Sequence, residues 1–265
     1  MITIKNYVRA ESLEEAYELN QKKMNTILGG MLWMKMSSRN IQTAVDLSGL
    51  GLDQIEEDEE TFRIGAMCSL REIETDIRLN RHFGGAIRES LRYIVGVQFR
   101  NCATIGGSIY GRFGFSDILT CLLVLDCCVE LYKGGIISLR EFIDMPKNSD
   151  ILVRIILGKD NRKASYQSFR RTKTDLPILT AAVSRVDDVF YVAVGARPMK
   201  AAVIEMSEVQ VQEERDEQKW KVLSAELAGR FSYGSNMRGS GEYREHLAAV
   251  AIRRAFKEIV GGASW

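Results

Sequence analysis

Residues 104–117 constrain this chain more than any other stretch. They read Thr-Ile-Gly-Gly-Ser-Ile-Tyr-Gly-Arg-Phe-Gly-Phe-Ser-Asp, four glycines in fourteen positions, and an apolar run over 118–125 follows. Glycine permits φ > 0 and lets a ligand lie against main chain with no Cβ in the way. Successive backbone N–H groups in such a turn make a concave anion site, and a following helix adds its positive end. Ser116 and Asp117 suit the cap of that helix. The Asp117 carboxylate can equally accept hydrogen bonds from sugar hydroxyls. Two readings stand: a phosphate or nucleotide loop, and a glycine-rich turn before a buried helix. The spacing is neither that of a Walker loop nor Gly-x-Gly-x-x-Gly, which by itself tilts the reading toward the turn.

Composition narrows the class. A chain of 265 residues, 46% of them hydrophobic, can build two modest domains or one large one. A formal net charge of +1 gives no footprint for nucleic acid or for an anionic membrane. The first residues carry no secretory signal pattern, and no apolar run reaches the length of a membrane span, so a cytoplasmic location is expected. Cys68, Cys102, Cys121, Cys127 and Cys128 are odd in number and lack Cys-x-x-Cys spacing. They read as buried small hydrophobes, not as disulfides, zinc ligands or iron–sulfur ligands. His82 and His246 have no ligand-like spacing, and no metal site is expected.

Taken in order, residues 2–8 read as a strand, and Ser12 with Glu15 forms a capping box that opens a helix to about residue 23. A short strand over 26–28 ends in Gly29 and Gly30, a second glycine turn, with a helix possible over 31–36. Strands are expected at 43–47 and 62–66, with the acidic run 56–60 at a solvated hairpin tip. Helices are expected from Ser69 and over 86–94. A hairpin spans 129–137, Ser138 and Glu141 repeat the capping signature, and 151–157 is rich in β-formers. A polar stretch over 158–163 marks the domain boundary. Beyond it, 166–171, 178–186 and 189–196 read as a three-stranded antiparallel meander, the last pair turning at Asp187 and Asp188. Helices are expected over 200–206, 218–231 and 240–259. The fold class is therefore α+β in two pieces, 1–160 and 161–265. Two glycine turns in the first piece raise the prospect of two backbone nests gripping two linked phosphates. Arg170, Arg171 and Lys173 read as a solvated strand end, and Trp265 as an isolated residue at an interface or nowhere.

Three stretches together resemble a family. They are Leu28, Gly29 and Gly30 after a strand; Gln98 to Ser108 with Arg100, Asn101, Thr104, Gly106 and Gly107, continuing to Ser116 and Asp117; and Arg238, Ser240, Tyr243, Arg244, His246 and Leu247. The chain resembles, over nearly its whole length, the FAD-binding (medium) subunit of the molybdenum hydroxylases, the xanthine dehydrogenase and carbon monoxide dehydrogenase flavoprotein type. The resemblance implies a vanillyl-alcohol-oxidase-type (PCMH-like) FAD-binding domain followed by a flavoprotein C-terminal domain. It implies that the first turn, with Ile27, Leu28, Gly29, Gly30, Met31, Leu32 and Trp33, holds the FAD pyrophosphate. Thr104, Gly106, Gly107 and Ser108 would contact phosphates and ribityl chain, Asp117 the adenosine ribose, and Leu152 the adenine side. Ile94 stands where relatives place an aromatic beside the flavin, and Gln167 where some carry a cofactor-contacting Lys. Met31 and Leu32 replace polar residues usual in the family. Lost side-chain bonds, each worth on the order of 1 kcal/mol, imply weak FAD binding.

By the same resemblance the chain passes electrons from [2Fe–2S] clusters of a small iron–sulfur subunit, reduced by a molybdopterin large subunit, through FAD to NAD. Xanthine is the implied substrate of the assembly, with nicotinate, another aromatic substrate or carbon monoxide as alternatives. The cofactor carries the chemistry, and no side chain is required as acid, base or nucleophile. A reading from another class is an assembly or scaffold subunit that has lost working flavin. A stand-alone FAD oxidase would need its own substrate pocket, for which little chain is left.

Overall fold

A computed structural model describes residues 1–207 and 217–261. The expectation placed on Trp265 lies outside the described residues. Contacts divide the chain into two units that are discontinuous in sequence. The first comprises Met1–Ile73, Val97–Gly111 and Cys127–Gly158; the second comprises Glu74–Gly96, Arg112–Asp126 and the chain from Lys159.

The first unit holds two sheets. Strands β1 (Thr3–Arg9), β2 (Asn25–Leu28) and β3 (Asn40–Asp46) form a parallel sheet in the order β1-β3-β2. Parallel strands need crossover connections, and helix α1 (Leu13–Asn20) supplies the one from β1 to β2, which flank β3. Ser12 caps α1 by accepting the Glu15 N–H at 3.1 Å. Ala16 of α1 packs with Val45, Leu47, Ile151 and Val153 in one apolar cluster. The second sheet is antiparallel, from β4 (Ile55–Glu57), β5 (Thr61–Gly65), β6 (Cys127–Leu131), β7 (Gly135–Ser138) and β8 (Leu152–Gly158), in the order β4-β5-β8-β6-β7. The acidic run thus belongs partly to β4 and partly to the turn into β5. Residues 31–36 give only a 3-10 turn at Met34–Met36. Helices α2 (Leu70–Thr75), α3 (Ile77–His82) and α8 (Leu139–Asp144) are each under two turns long.

The second unit is built on an antiparallel sheet of four strands, not three. They are β9 (Lys163–Phe169), β10 (Leu179–Val186), β11 (Val189–Gly195) and β12 (Ala202–Ser207), in the order β12-β11-β10-β9. The helix expected over 200–206 is strand β12. Val203 and Ile204 are β-branched, and a register running from Val189↔Ser207 to Val194↔Ala202 satisfies the segment's backbone. Helices α9 (Glu217–Gly229) and α10 (Gly241–Gly261) cover one face, where Leu179, Ala181 and Val183 meet Ala251, Ala255 and Phe256. On the other face lie α4 (Ala86–Leu91) and α7 (Asp117–Leu122). There Thr120 and Thr180 share a hydroxyl bond of 3.0 Å, and the Ser184 hydroxyl and Arg162 both donate to the Val124 carbonyl. Alternation along β10 sorts its residues between the faces.

Cys68, Cys121 and Cys127 are buried as expected, and burial pushes the thiols of Cys68 and Cys121 up to about 12. Cys102 is exposed and Cys128 half-buried, which corrects the reading of all five as core. Among the described residues no helix is long and apolar enough to cross a membrane.

Candidate functional site

Strand β2 delivers the first glycine turn. Ile27 leans toward the Val45 cluster, and Leu28 toward Ile41 and Ala44 on the opposite face. Past Leu28 the ladder stops. The N–H groups of Gly29, Gly30, Met31 and Leu32 find no acceptor among the described residues. Met31 takes φ 59, so the run passes through the left-handed conformation that turns successive N–H groups inward on an anion. Its side chain packs with Met34 against Leu28, Ile41 and Ala44. The methionine that departs from the family pattern therefore braces the turn from beneath, and only its backbone is left for a ligand. Leu32 is half-buried. Trp33, 41% exposed, meets Phe99 edge-on with ring centroids 6.2 Å apart.

The second stretch backs onto this turn. A Cβ on Gly30 would lie 1.9 Å from the Cys102 carbonyl oxygen, and one on Gly29 would lie 2.8 Å from Thr104 Oγ1. Only glycine admits so close an approach. The first half of the glycine-rich stretch is not a loop: helix α6 (Ile105–Gly111) is separated from α5 (Val97–Cys102) by two residues, and only residues 112–116 form a turn. Its amides are spent. Ile105 N–H bonds Cys68 O and Gly106 N–H bonds Ala66 O, both at 2.9 Å, and Ser108 N–H bonds Thr104 O at 3.1 Å. Gly107 N–H bonds Thr104 Oγ1 at 3.2 Å. The expectation of two nests is thus corrected to one nest seated on a helix-bearing platform. Thr104 Oγ1 accepts from Gly107 and donates to no described residue, so its proton is available. Ser108 Oγ donates to Thr104 O at 3.0 Å and keeps lone pairs free to accept. Leu152 is 5% exposed at the start of β8, paired with Leu131 beside a bulge, and offers a ligand little area.

Asp117, Ile94 and Gln167 belong to the second unit. Asp117 opens α7, is buried, and lies under the Tyr166 hydroxyl, which donates to Oδ1. Arg170 Nη2 pairs with the same oxygen, and Arg170 Nη1 donates to Asp175 O at 2.6 Å. Oδ2 bonds no other described side chain. Burial lifts the Asp117 carboxyl to about 6, outweighing the attraction of Arg170 and the Tyr166 bond. The same burial drives the Tyr166 phenol up. The Arg170 side chain is only 7% exposed, which corrects the reading of a solvated strand end for this residue. Arg171 is exposed and donates to Met237 O at 3.0 Å.

Gln167 faces away from this cluster, because neighbours along β9 point to opposite faces. Its Nε2 donates to Glu258 Oε1 of α10 at 2.8 Å, and Ser165 holds the other carboxylate oxygen. Its side-chain amide is thus committed to α10. Gln167→Ala is expected to change FAD affinity by less than about twofold, as a flavin-fluorescence titration would report. Ile94 is half-buried after α4, its N–H on Leu91 O at 2.9 Å.

The C-terminal stretch is a clamp. Arg244, 1% exposed, donates to the carbonyls of Ile178, Gly234 and Gly239 and to Asn236 Oδ1, at 2.7 to 2.9 Å. Sequence reasoning did not find Tyr166, Arg170 or the single nest. The only available signal was the period-2 placement of 166, 168 and 170 on one strand face.

Residues 2–159 match the FAD binding domain in molybdopterin dehydrogenase, and residues 164–259 match the CO dehydrogenase flavoprotein C-terminal domain. The chain belongs to the molybdopterin dehydrogenase FAD-binding family. It is a FAD-binding medium subunit of the molybdenum hydroxylase kind, an oxidoreductase subunit whose cofactor is FAD. The uncharacterized protein YgfM of Escherichia coli K12 is 27% identical over 254 residues, 94% of each chain. The nicotine 6-hydroxylase medium subunit of Paenarthrobacter nicotinovorans is 25% identical over 272 residues, 95% of this chain and 96% of that one. The structure of quinoline 2-oxidoreductase from Pseudomonas putida 86 superposes with a TM-score of 0.84 at 17% identity, covering 100% of this chain and 99% of that one, which shows a shared fold. The residues present fit FAD. A half-buried run of four unbonded N–H donors suits a pyrophosphate, and the Thr104 hydroxyl lies against it.

Proposed function

We propose that this medium subunit carries electrons within a xanthine dehydrogenase-like assembly, from the [2Fe–2S] clusters of a small partner subunit to NAD. A molybdopterin large subunit would select the substrate. The likeness to nicotine 6-hydroxylase supports an N-heterocycle, of which xanthine is one. FAD, when bound, accepts electrons singly and releases them in pairs. The chain's own residues do the rest. The N–H groups of residues 29–32 would hold the pyrophosphate, with Gly30 keeping the turn seated on Cys102. The Thr104 hydroxyl would donate to a phosphate oxygen, and Ser108 would accept from the ribityl chain. Gly106 keeps that platform seated, since a Cβ there would lie 2.6 Å from the Ala66 carbonyl oxygen. Asp117 would receive a ribose hydroxyl on Oδ2, its orientation fixed by Tyr166 and Arg170. Ile27, Leu28 and Met31 brace the turn, Trp33 borders it, and no side chain acts as acid, base or nucleophile. Residues 1–160 would form the FAD-binding domain and 161–265 the flavoprotein C-terminal domain.

The single observation that carries this reading is the nest of four free amides on a glycine seat. A second reading, a scaffold subunit without working flavin, is favoured by the side chains: Met31 is turned into the core and Gln167 is tied to Glu258. Titration of the purified chain with FAD, FMN and riboflavin separates the two. Saturable FAD binding at least about tenfold tighter than FMN is expected, since only FAD presents a pyrophosphate and an adenosine. No binding by a folded chain, alone and again with its partner subunits, would leave the scaffold reading in front.

A further inference from the structure

The second unit holds a cavity of about 410 Å³ that no part of the reading above uses. Its size suits a small organic ligand. Phe115, Leu176, Pro177 and Met199 give it apolar walls. Phe115 is itself stacked on Phe113, centroids 5.3 Å apart and rings 12° from parallel, which makes that wall flat and stiff. The charge in the lining is of one sign: Lys200, Arg238 and Arg244 contribute to it, and among the described residues no carboxylate does.

The three cations are not equivalent. Arg244 spends its donors on carbonyls and on Asn236, so it lends charge but no hydrogen bond. Arg238 is different. Its guanidinium bonds no described residue, and its Nε is shut off from water without any acceptor. A buried donor left unmatched is costly, and native proteins seldom keep one without a use. Beside it, Asn236 Oδ1 is fully engaged by the Arg238 N–H and by Arg244 Nη2, which leaves its side-chain N–H₂ facing no described partner. A planar fork and an amide beside a flat apolar wall recognise a ring that carries one anionic head.

We propose that this cavity binds a small organic anion, a flat ring bearing one carboxylate or phosphate, with Arg238 gripping the anionic head and Asn236 donating beside it. The ring lies against Phe115 and Leu176. Benzoate and adenosine 5′-monophosphate carry the two kinds of head.

The test is a calorimetric or NMR titration of the full chain, kept saturated with FAD, using benzoate, adenosine 5′-monophosphate and inorganic phosphate in separate arms. Saturable binding of one ring anion is expected, with inorganic phosphate weaker by about tenfold or more for want of the apolar contact. Arg238→Met should weaken the bound ring anion by about tenfold or more while leaving the melting temperature and FAD affinity unchanged, because Arg238 holds nothing else in place. Arg238→Lys should keep part of the affinity. The proposal fails if neither ring anion binds saturably, or if Arg238→Met leaves binding intact. It also fails if binding appears only when FAD is left out, since the ligand would then be occupying the cofactor's own site.

Discussion

Replacing Gly30 by alanine is expected to abolish FAD binding at micromolar cofactor and to lower the melting temperature. The new Cβ would stand 1.9 Å from the Cys102 carbonyl oxygen, 2.6 Å from its carbon and 3.0 Å from Ala103 Cα. All three are backbone atoms, so no rotamer change relieves the overlap. The turn must lift away from the junction of α5 and α6, and the free amides of residues 29–32 move with it. Overpacking of this kind costs about 1–3 kcal/mol, and more where main chain must shift. Each amide bond lost to a charged phosphate removes about 1.5–3 kcal/mol. Affinity should therefore fall by about a hundredfold or more. Gly107→Ala is the matched control. Its Cβ would meet only Thr104 Oγ1, at 3.1 Å, on an exposed position inside a helix. A helical alanine gains about 1 kcal/mol over glycine, so that variant should melt no lower and bind FAD within a few fold. Flavin-fluorescence titration and thermal unfolding of both variants check this. A Gly30→Ala chain that binds FAD like its parent would show that the nest is not the pyrophosphate cradle.

Local signals in the sequence carried far. Ser12 with Glu15, and Ser138 with Glu141, announce helices that the structure caps through those residues. The two residues between β10 and β11 are too few for anything but a hairpin, and Asp187 accordingly takes φ 47. Where tertiary pairing decides, the signal fades. Residues 200–206 include Lys200, Ala201 and Met206, good helix formers, yet the open edge of β11 draws the segment into strand β12. Such edge pairing outweighs propensities of a few tenths of a kcal/mol per residue.

The site follows the same rule. The sequence shows where glycines stand, and so where backbone can be approached. It does not show which amides are already spent. Gly30 and Gly106 look alike in the chain, but Gly106 donates to Ala66, forty residues earlier, while Gly30 donates to no described residue. Asp117 was legible as a carboxylate at a helix start. Its hold on Tyr166 and Arg170 was not, because that depends on which face of β9 turns toward α7.

That buried triad gives the clearest pH signature. Arg170→Met is expected to cost about 3 kcal/mol of stability at pH 7, because removing one partner of a buried ion pair strands the other charge. In the parent chain burial already lifts the Asp117 carboxyl to about 6 even with Arg170 beside it. An aspartate in the unfolded chain titrates near about 4, so the folded chain binds this proton more tightly than the unfolded one. Its contribution to stability is complete below about pH 4 and is lost as pH rises through about 6. Taking away Arg170 removes the attraction that opposes burial and moves the folded value higher still. The deficit of the variant should then be largest at neutral pH and shrink as pH falls toward 5, where a protonated Asp117 no longer needs a counter-charge. In Asp117→Asn with Arg170→Met no carboxyl is left to titrate, and that pH dependence should vanish. Urea unfolding of the three chains between pH 5 and 8 reads this directly. A deficit that stays constant with pH, or grows on acidification, would mean that Arg170 supports the fold by packing and by its bond to the Asp175 carbonyl, not by keeping Asp117 charged.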